Sequence, residues 1–83
     1  MKIKFKLFAT LAEYLPQPSK TNTLELEIAA DSTIQSIIEQ FQLPGKLVHL
    51  VLVNGFYVYP AERTTRKLKD GDVLAIWPPI AGG

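Results

Sequence analysis

Two glycines, Gly82 and Gly83, follow the apolar stretch Trp77-Pro78-Pro79-Ile80-Ala81 at the C-terminal end of the sequence. A peptide carboxylate is a poor electrophile until it is joined to a good leaving group, most simply the phosphate of an adenylate. Delivering that carboxyl carbon into a buried active site calls for a thin, adaptable length of chain. Glycine lacks a Cβ, so it permits close backbone approach and a wide choice of φ and ψ. Extended, residues 78–83 reach up to about 20 Å, and two prolines at the root reduce the entropy lost on threading. The tail therefore has the form of an arm with Gly83 as its reacting end. Pro78, Pro79, Ile80, Ala81 and Gly82 would thread the partner's active site. The bland alternative is a frayed terminus with no duty.

Little else in the chain could carry chemistry. Cysteine is absent, and there is one histidine, His49, and one methionine. This removes disulfides, thiolate nucleophiles and soft metal sites together. It also suits an activated acyl end, which an internal thiol could attack. Asp70 and Asp72 resemble a carboxylate pair but flank Gly71 in a turn, where such residues are favoured. His49 falls within an apolar run and reads as structural. No metal and no bound cofactor are expected.

Nine basic residues stand against eight acidic ones in 83, so no global field exists to hold nucleic acid or an anionic membrane surface. The first residues alternate charge with apolar groups instead of placing a basic end before an apolar block, and no apolar run approaches the ~20 residues of a membrane span. A cytoplasmic location is the expectation. Arg63, Arg66, Lys67 and Lys69 form a local basic group that could steer an acidic partner or serve only as a solvated connector.

These residues need a body to present them. KIKFKLF (2–8) alternates with period two, placing Ile3, Phe5 and Leu7 on one side and Lys2, Lys4, Lys6 and Phe8 on the other, as a half-buried strand does. Residues 9–15 add a helical turn or two, and residues 16–22 form a polar connector. TLELEIA alternates again; paired antiparallel with the first strand, it sets Glu25 and Glu27 opposite lysines. Ser32 with Gln35 reads as a capping box, and Ile34, Ile37, Ile38 and Phe41 form a helical stripe that Pro44-Gly45 ends. LVHLVLV is a strand. Asn54-Gly55 is a hairpin turn of the type that needs positive φ at both positions, FYVY is the returning strand, and VLAIW is the last strand before the prolines.

One helix across one face of a sheet built in that order predicts an α+β, β-grasp (ubiquitin-like) roll: a mixed sheet of about five strands with the first and last parallel at its centre. The chain is a single domain, 1–83, with 78–83 as a flexible functional tail. Leu74 and Ile76 then face the helix, which leaves Trp77 on the outer surface beside the tail with Phe8 near it. Two aromatics on an open face form a partner-docking patch; the alternative is that Trp77 turns inward and completes the core.

Taken together, "VNG", "LKDGD" and "WPPIAGG" resemble the small sulfur-carrier proteins of molybdenum-cofactor and thiamine synthesis, which are β-grasp proteins related to ubiquitin. The likeness covers the whole chain. "PPIAGG" is most similar to the small subunit of molybdopterin synthase, whereas Asn54-Gly55 within "LVLVNGFYV" is similar to the thiamine branch, and Trp77 stands where the family more often has Phe. The pathway therefore stays open. The resemblance implies that an E1-like enzyme adenylates Gly83 using ATP and that a sulfur donor displaces AMP to leave a thiocarboxylate. The sulfur then passes to an acceptor, either the large catalytic subunit of molybdopterin synthase or an equivalent enzyme. The domain itself would contribute no general acid or base. A protein modifier, joined through Gly83 to a lysine, shares the activation step, and a plain interaction domain with a passive tail is the third reading.

Overall fold

The computed structural model describes residues 1–16 and 22–79. Residues 80–83, most of the proposed arm, and residues 17–21, most of the polar connector, lie outside the described residues. Five strands form one sheet: β1 (Lys2–Leu7), β2 (Thr23–Glu27), β3 (Leu50–Val53), β4 (Phe56–Tyr57) and β5 (Val73–Trp77), in the spatial order β2-β1-β5-β3-β4. β1 and β5 run parallel at the centre, and the other pairings are antiparallel. The expected β-grasp architecture is the one observed.

The period-two pattern of β1 decides its orientation: Ile3, Phe5 and Leu7 are buried, while Lys2 and Lys4 are exposed. β2 pairs with it so that Lys2 faces Glu27 and Lys4 faces Glu25, the charge register read from the sequence. One helix, α1 (Ile34–Gln40), buries Ile34, Ile37 and Ile38. These residues join Phe5, Leu7, Val51, Val53, Leu74 and Ile76 in a single core. Phe41, just past the helix, packs its ring 4.8 Å from that of Phe5.

Both ends of α1 differ from the sequence expectation. The cap is Thr33, not Ser32: its hydroxyl accepts from the Ser36 N–H at 3.1 Å, and the Ser36 hydroxyl accepts from the Thr33 N–H at 2.9 Å. A serine takes the reciprocal role usually filled by Glu or Gln. At the other end the chain leaves the helix at Gln42, before Pro44-Gly45. Gln42 has φ 56; its N–H donates to the Glu39 carbonyl and the Leu43 N–H donates to the Ile38 carbonyl. This is the paired bonding of a Schellman cap, in which glycine is the favoured residue because a left-handed backbone crowds any Cβ. Gln42→Gly is therefore expected to stabilise the domain by roughly 0.5–1 kcal/mol, the relief of left-handed strain exceeding the added unfolded-state entropy. A urea titration with unchanged slope would measure it.

The run LVHLVLV is only partly strand. Gly45–Leu47 forms a 3-10 turn and β3 begins at Leu50, leaving His49 exposed just outside it. β3 pairs with β5, and Leu50 lies opposite Trp77. Beyond Trp77 stand Pro78 and Pro79, which have no N–H to extend the ladder. The returning strand is likewise shorter than FYVY, covering Phe56–Tyr57. The two-residue hairpin loop is as expected, with Asn54 at φ 53 and Gly55 at φ 86.

The Asn54 side chain does more than turn the hairpin. Its Nδ2 donates to the Asp72 carboxylate and its Oδ1 accepts from the Val73 N–H, each at 2.9 Å. Asp72 also accepts from the Lys69 N–H, and Asp70 accepts from the Lys2 N–H at 2.7 Å. The Asp-Gly-Asp turn thus fastens the start of β5 to β1 and to the hairpin. Asn54→Ala loses two hydrogen bonds and a residue tolerant of positive φ, and should lower stability by about 2 kcal/mol, read from the midpoint of thermal or chemical unfolding.

Candidate functional site: the outer sheet face and the root of the tail

Alternation along β5 sends Leu74 and Ile76 into the core and Trp77 to the opposite face. Phe8 continues the line of β1 one residue past Leu7, and its N–H donates to the Ile76 carbonyl at 3.2 Å, prolonging the parallel ladder. The two aromatic rings consequently meet: Phe8 and Trp77 stack with centroids 4.2 Å apart and planes 2° from parallel. Both are half-buried and neither belongs to the core cluster. The placement expected from sequence is the one found, and the inward alternative for Trp77 is not.

The structure adds residues that sequence reasoning missed. Leu50 lies beside Trp77, Leu52 beside Ala75, and Tyr57 beside Leu52, all on the face away from the helix. An apolar strip thus runs from Phe8 across Trp77, Leu50 and Leu52 to the exposed Tyr57, whose ring meets that of Tyr59 edge-on. Lys6 lies beside Ala75 and Lys4 beside Val73, so the strip has a basic border on the β1 side. A contiguous apolar strip with a charged margin is the form of a protein-binding surface.

The tail leaves from one end of this strip. Pro78 is buried and Pro79 exposed. The last ladder bond before them is donated by the His49 N–H to the Trp77 carbonyl at 3.1 Å. Ile80, Ala81, Gly82 and Gly83 lie outside the described residues.

The basic group does not stay together. Arg63 is buried, with 7% of its surface exposed. Its Nε and Nη2 donate to the Val58 carbonyl at 3.3 and 3.2 Å, and Nη2 also donates to the His49 carbonyl at 3.4 Å. A guanidinium committed to interior carbonyls cannot attract a distant partner, so Arg63 is removed from the steering group. Arg66, Lys67 and Lys69 are exposed. The Arg66 carbonyl accepts from the Ile34 N–H at the helix start, while Lys69 is fastened to Asp72 just before β5. The five residues of β5 place Lys69 roughly 16 Å from the end where the tail departs.

A mixed five-stranded roll around one helix, with a C-terminal strand leading into a proline-rooted tail, defines a ubiquitin-like β-grasp protein. Residues 5–83 match the ThiS family, and the chain belongs to that family of ubiquitin-like sulfur carriers and modifiers. Small archaeal modifier protein 3 of Haloferax volcanii is 28% identical over 92 residues, covering the whole of both chains. The solution structure of a Haloferax volcanii protein is similar over 100% of this chain and 87% of its own, at 26% identity and a TM-score of 0.77. A complex of subunits 1 and 2 of molybdopterin-converting factor from Helicobacter pylori contains a chain of the same fold. That chain is 20% identical, with a TM-score of 0.61 and full coverage of both chains. No helix among the described residues is long and apolar enough to cross a membrane.

Proposed function

We propose that this protein is a sulfur carrier whose reactive group is the Gly83 carboxylate, acting as the small subunit of a molybdopterin synthase-type complex. The observation that carries the reading is the Phe8–Trp77 stack at the root of the proline-led tail, in a chain whose family match extends to Gly83. The stacked pair and the strip beside it dock the domain, and docking places the root so that the arm reaches into the partner. An E1-like enzyme binds ATP, and a carboxylate oxygen of Gly83 attacks the α-phosphorus, releasing pyrophosphate. A sulfur donor then attacks the acyl carbon, AMP leaves, and the carbon retains one oxygen and gains sulfur. The thiocarboxylate is the form that delivers sulfur to the large subunit, and the Helicobacter pylori complex of two such subunits supports a protein partner of this kind.

A second reading has its own support in the Haloferax volcanii modifier relative: Gly83, activated in the same way, is joined to a lysine amine of another protein. Intact-mass analysis of protein produced together with its activating enzyme separates the two. Exchange of one oxygen for sulfur on the free protein supports the carrier, whereas Gly83-dependent conjugates of higher mass support the modifier. A free protein that is never altered, with no such conjugates, defeats both.

A further inference from the structure

Arg63 is the one buried charged residue among those described. No ion pair of it occurs among the described residues; backbone carbonyls alone receive its guanidinium. An isolated buried cation is costly, and well-packed apolar side chains commonly replace buried charges without loss of stability. What a guanidinium offers that an apolar group does not is a rigid planar fork of donors. Here the fork spans the segments on either side of the β3–β4 hairpin: His49, just before β3, and Val58, just after β4. The Val58 N–H is in turn bonded to the Val51 carbonyl, and the Arg63 carbonyl accepts from the Gln35 N–H in the first turn of α1. Arg63 is therefore anchored on the helix while its side chain grips the base of the hairpin.

The grip extends one bond further. His49, whose carbonyl Arg63 holds, donates its own N–H to the carbonyl of Trp77. That is the final backbone bond before Pro78 and Pro79, neither of which can donate one. The direction of the arm at its root thus depends on His49, and the position of His49 depends on the guanidinium. Direction matters at the root, because Pro78 and Pro79, each with φ fixed by its ring, carry the set of the strand end into the arm. Misplacement by about 1 Å can cost a reaction some 10²-fold.

We propose that Arg63 is a positioning residue for the tail, fixing through His49 the strand end from which Pro78 departs. The inference rests on Gly83 being the activated group. The experiment compares wild type with Arg63→Lys, which keeps the charge but loses the fork, and with Arg63→Met. Steady-state adenylation by the E1-like activating enzyme is measured at a temperature where each variant is folded by circular dichroism. Amide spectra of His49 and the Trp77 indole signal are recorded alongside. The expected result is a fall in kcat of about tenfold for Arg63→Lys, with KM for the domain changed less than twofold and the His49 amide resonance displaced. A folded variant with wild-type kcat, or a loss confined to KM, overturns the proposal. Hydrogen exchange of the His49 amide in the wild type tests it without any variant: protection close to that of the β5 core supports it, and exchange as fast as that of a frayed end overturns it. A wild type that the enzyme leaves unactivated overturns the sulfur-carrier reading as well, whereas an activated wild type matched by Arg63→Lys overturns this inference alone.

Discussion

Deleting Gly83, or adding one residue after it, is expected to reduce thiocarboxylate formation at least about 10³-fold while leaving the unfolding midpoint unchanged. One residue shifts the acyl carbon by up to about 3.5 Å, whereas reacting atoms must approach within roughly 3–3.5 Å in aligned geometry, and a misplacement of about 1 Å already costs around 10². Stability is spared because the core is assembled from residues between Ile3 and Ile76. The comparison requires intact mass after co-expression with the activating enzyme, and a denaturation curve for each form. A shortened chain that still gains sulfur at its new end would show that the terminal carbon is not placed by the length of the arm, and the delivery account would fail.

Trp77→Ala carries the second large effect. Trp is prominent among residues whose truncation costs an interface 2 kcal/mol or more, so the dissociation constant of the docked complex should rise about 30- to 100-fold. Folding should suffer much less, about 1 kcal/mol for the lost stack on Phe8, because the indole lies outside the buried cluster. Phe8→Ala should weaken binding in the same sense, and the double variant should lose less than the sum of the two, since each ring supports the other. Calorimetric titration against the large subunit or the activating enzyme measures all three. Unchanged affinity in the Trp77 variant would move the docking surface elsewhere.

Much of this arrangement was legible in the residues. Period-two alternation in KIKFKLF and TLELE fixed which sides of β1 and β2 face the core, and positive φ at Asn54 and Gly55 followed from the demands of a two-residue hairpin. The Phe8–Trp77 meeting was foreseeable because a parallel central pair brings the ends of β1 and β5 together. What escaped lay either in local pairings outside the usual templates or in contacts made only in the fold. The cap moved from Ser32 to Thr33, where a serine could reciprocate, a pairing that a Glu/Gln template does not contain. Gln42 took the left-handed position that favours glycine because the Schellman bonds and the burial of Leu43 offset the strain. Arg63 looked like its exposed basic neighbours, and only burial and its bonds to the carbonyls of Val58 and His49 distinguish it. The rest of the docking strip did leave a sign: LVLV and VLAIW are apolar at nearly every position, unlike the alternating β1 and β2. In an otherwise one-sided sheet such a run means that the second face is apolar too.

Pairing β1 with β5 has a consequence for synthesis. The two central strands come from opposite ends of the described chain, so while residues 73–77 are still inside the ribosome the sheet lacks its middle. Contacts between such distant segments form late in folding because the whole intervening loop must be closed first. Phe8 then waits for Trp77, and the aromatic pair comes into being only on a chain that has been translated through β5. A prematurely terminated product has neither the tail nor the stacked aromatic pair, so under the proposed function the topology itself would keep incomplete molecules from being activated.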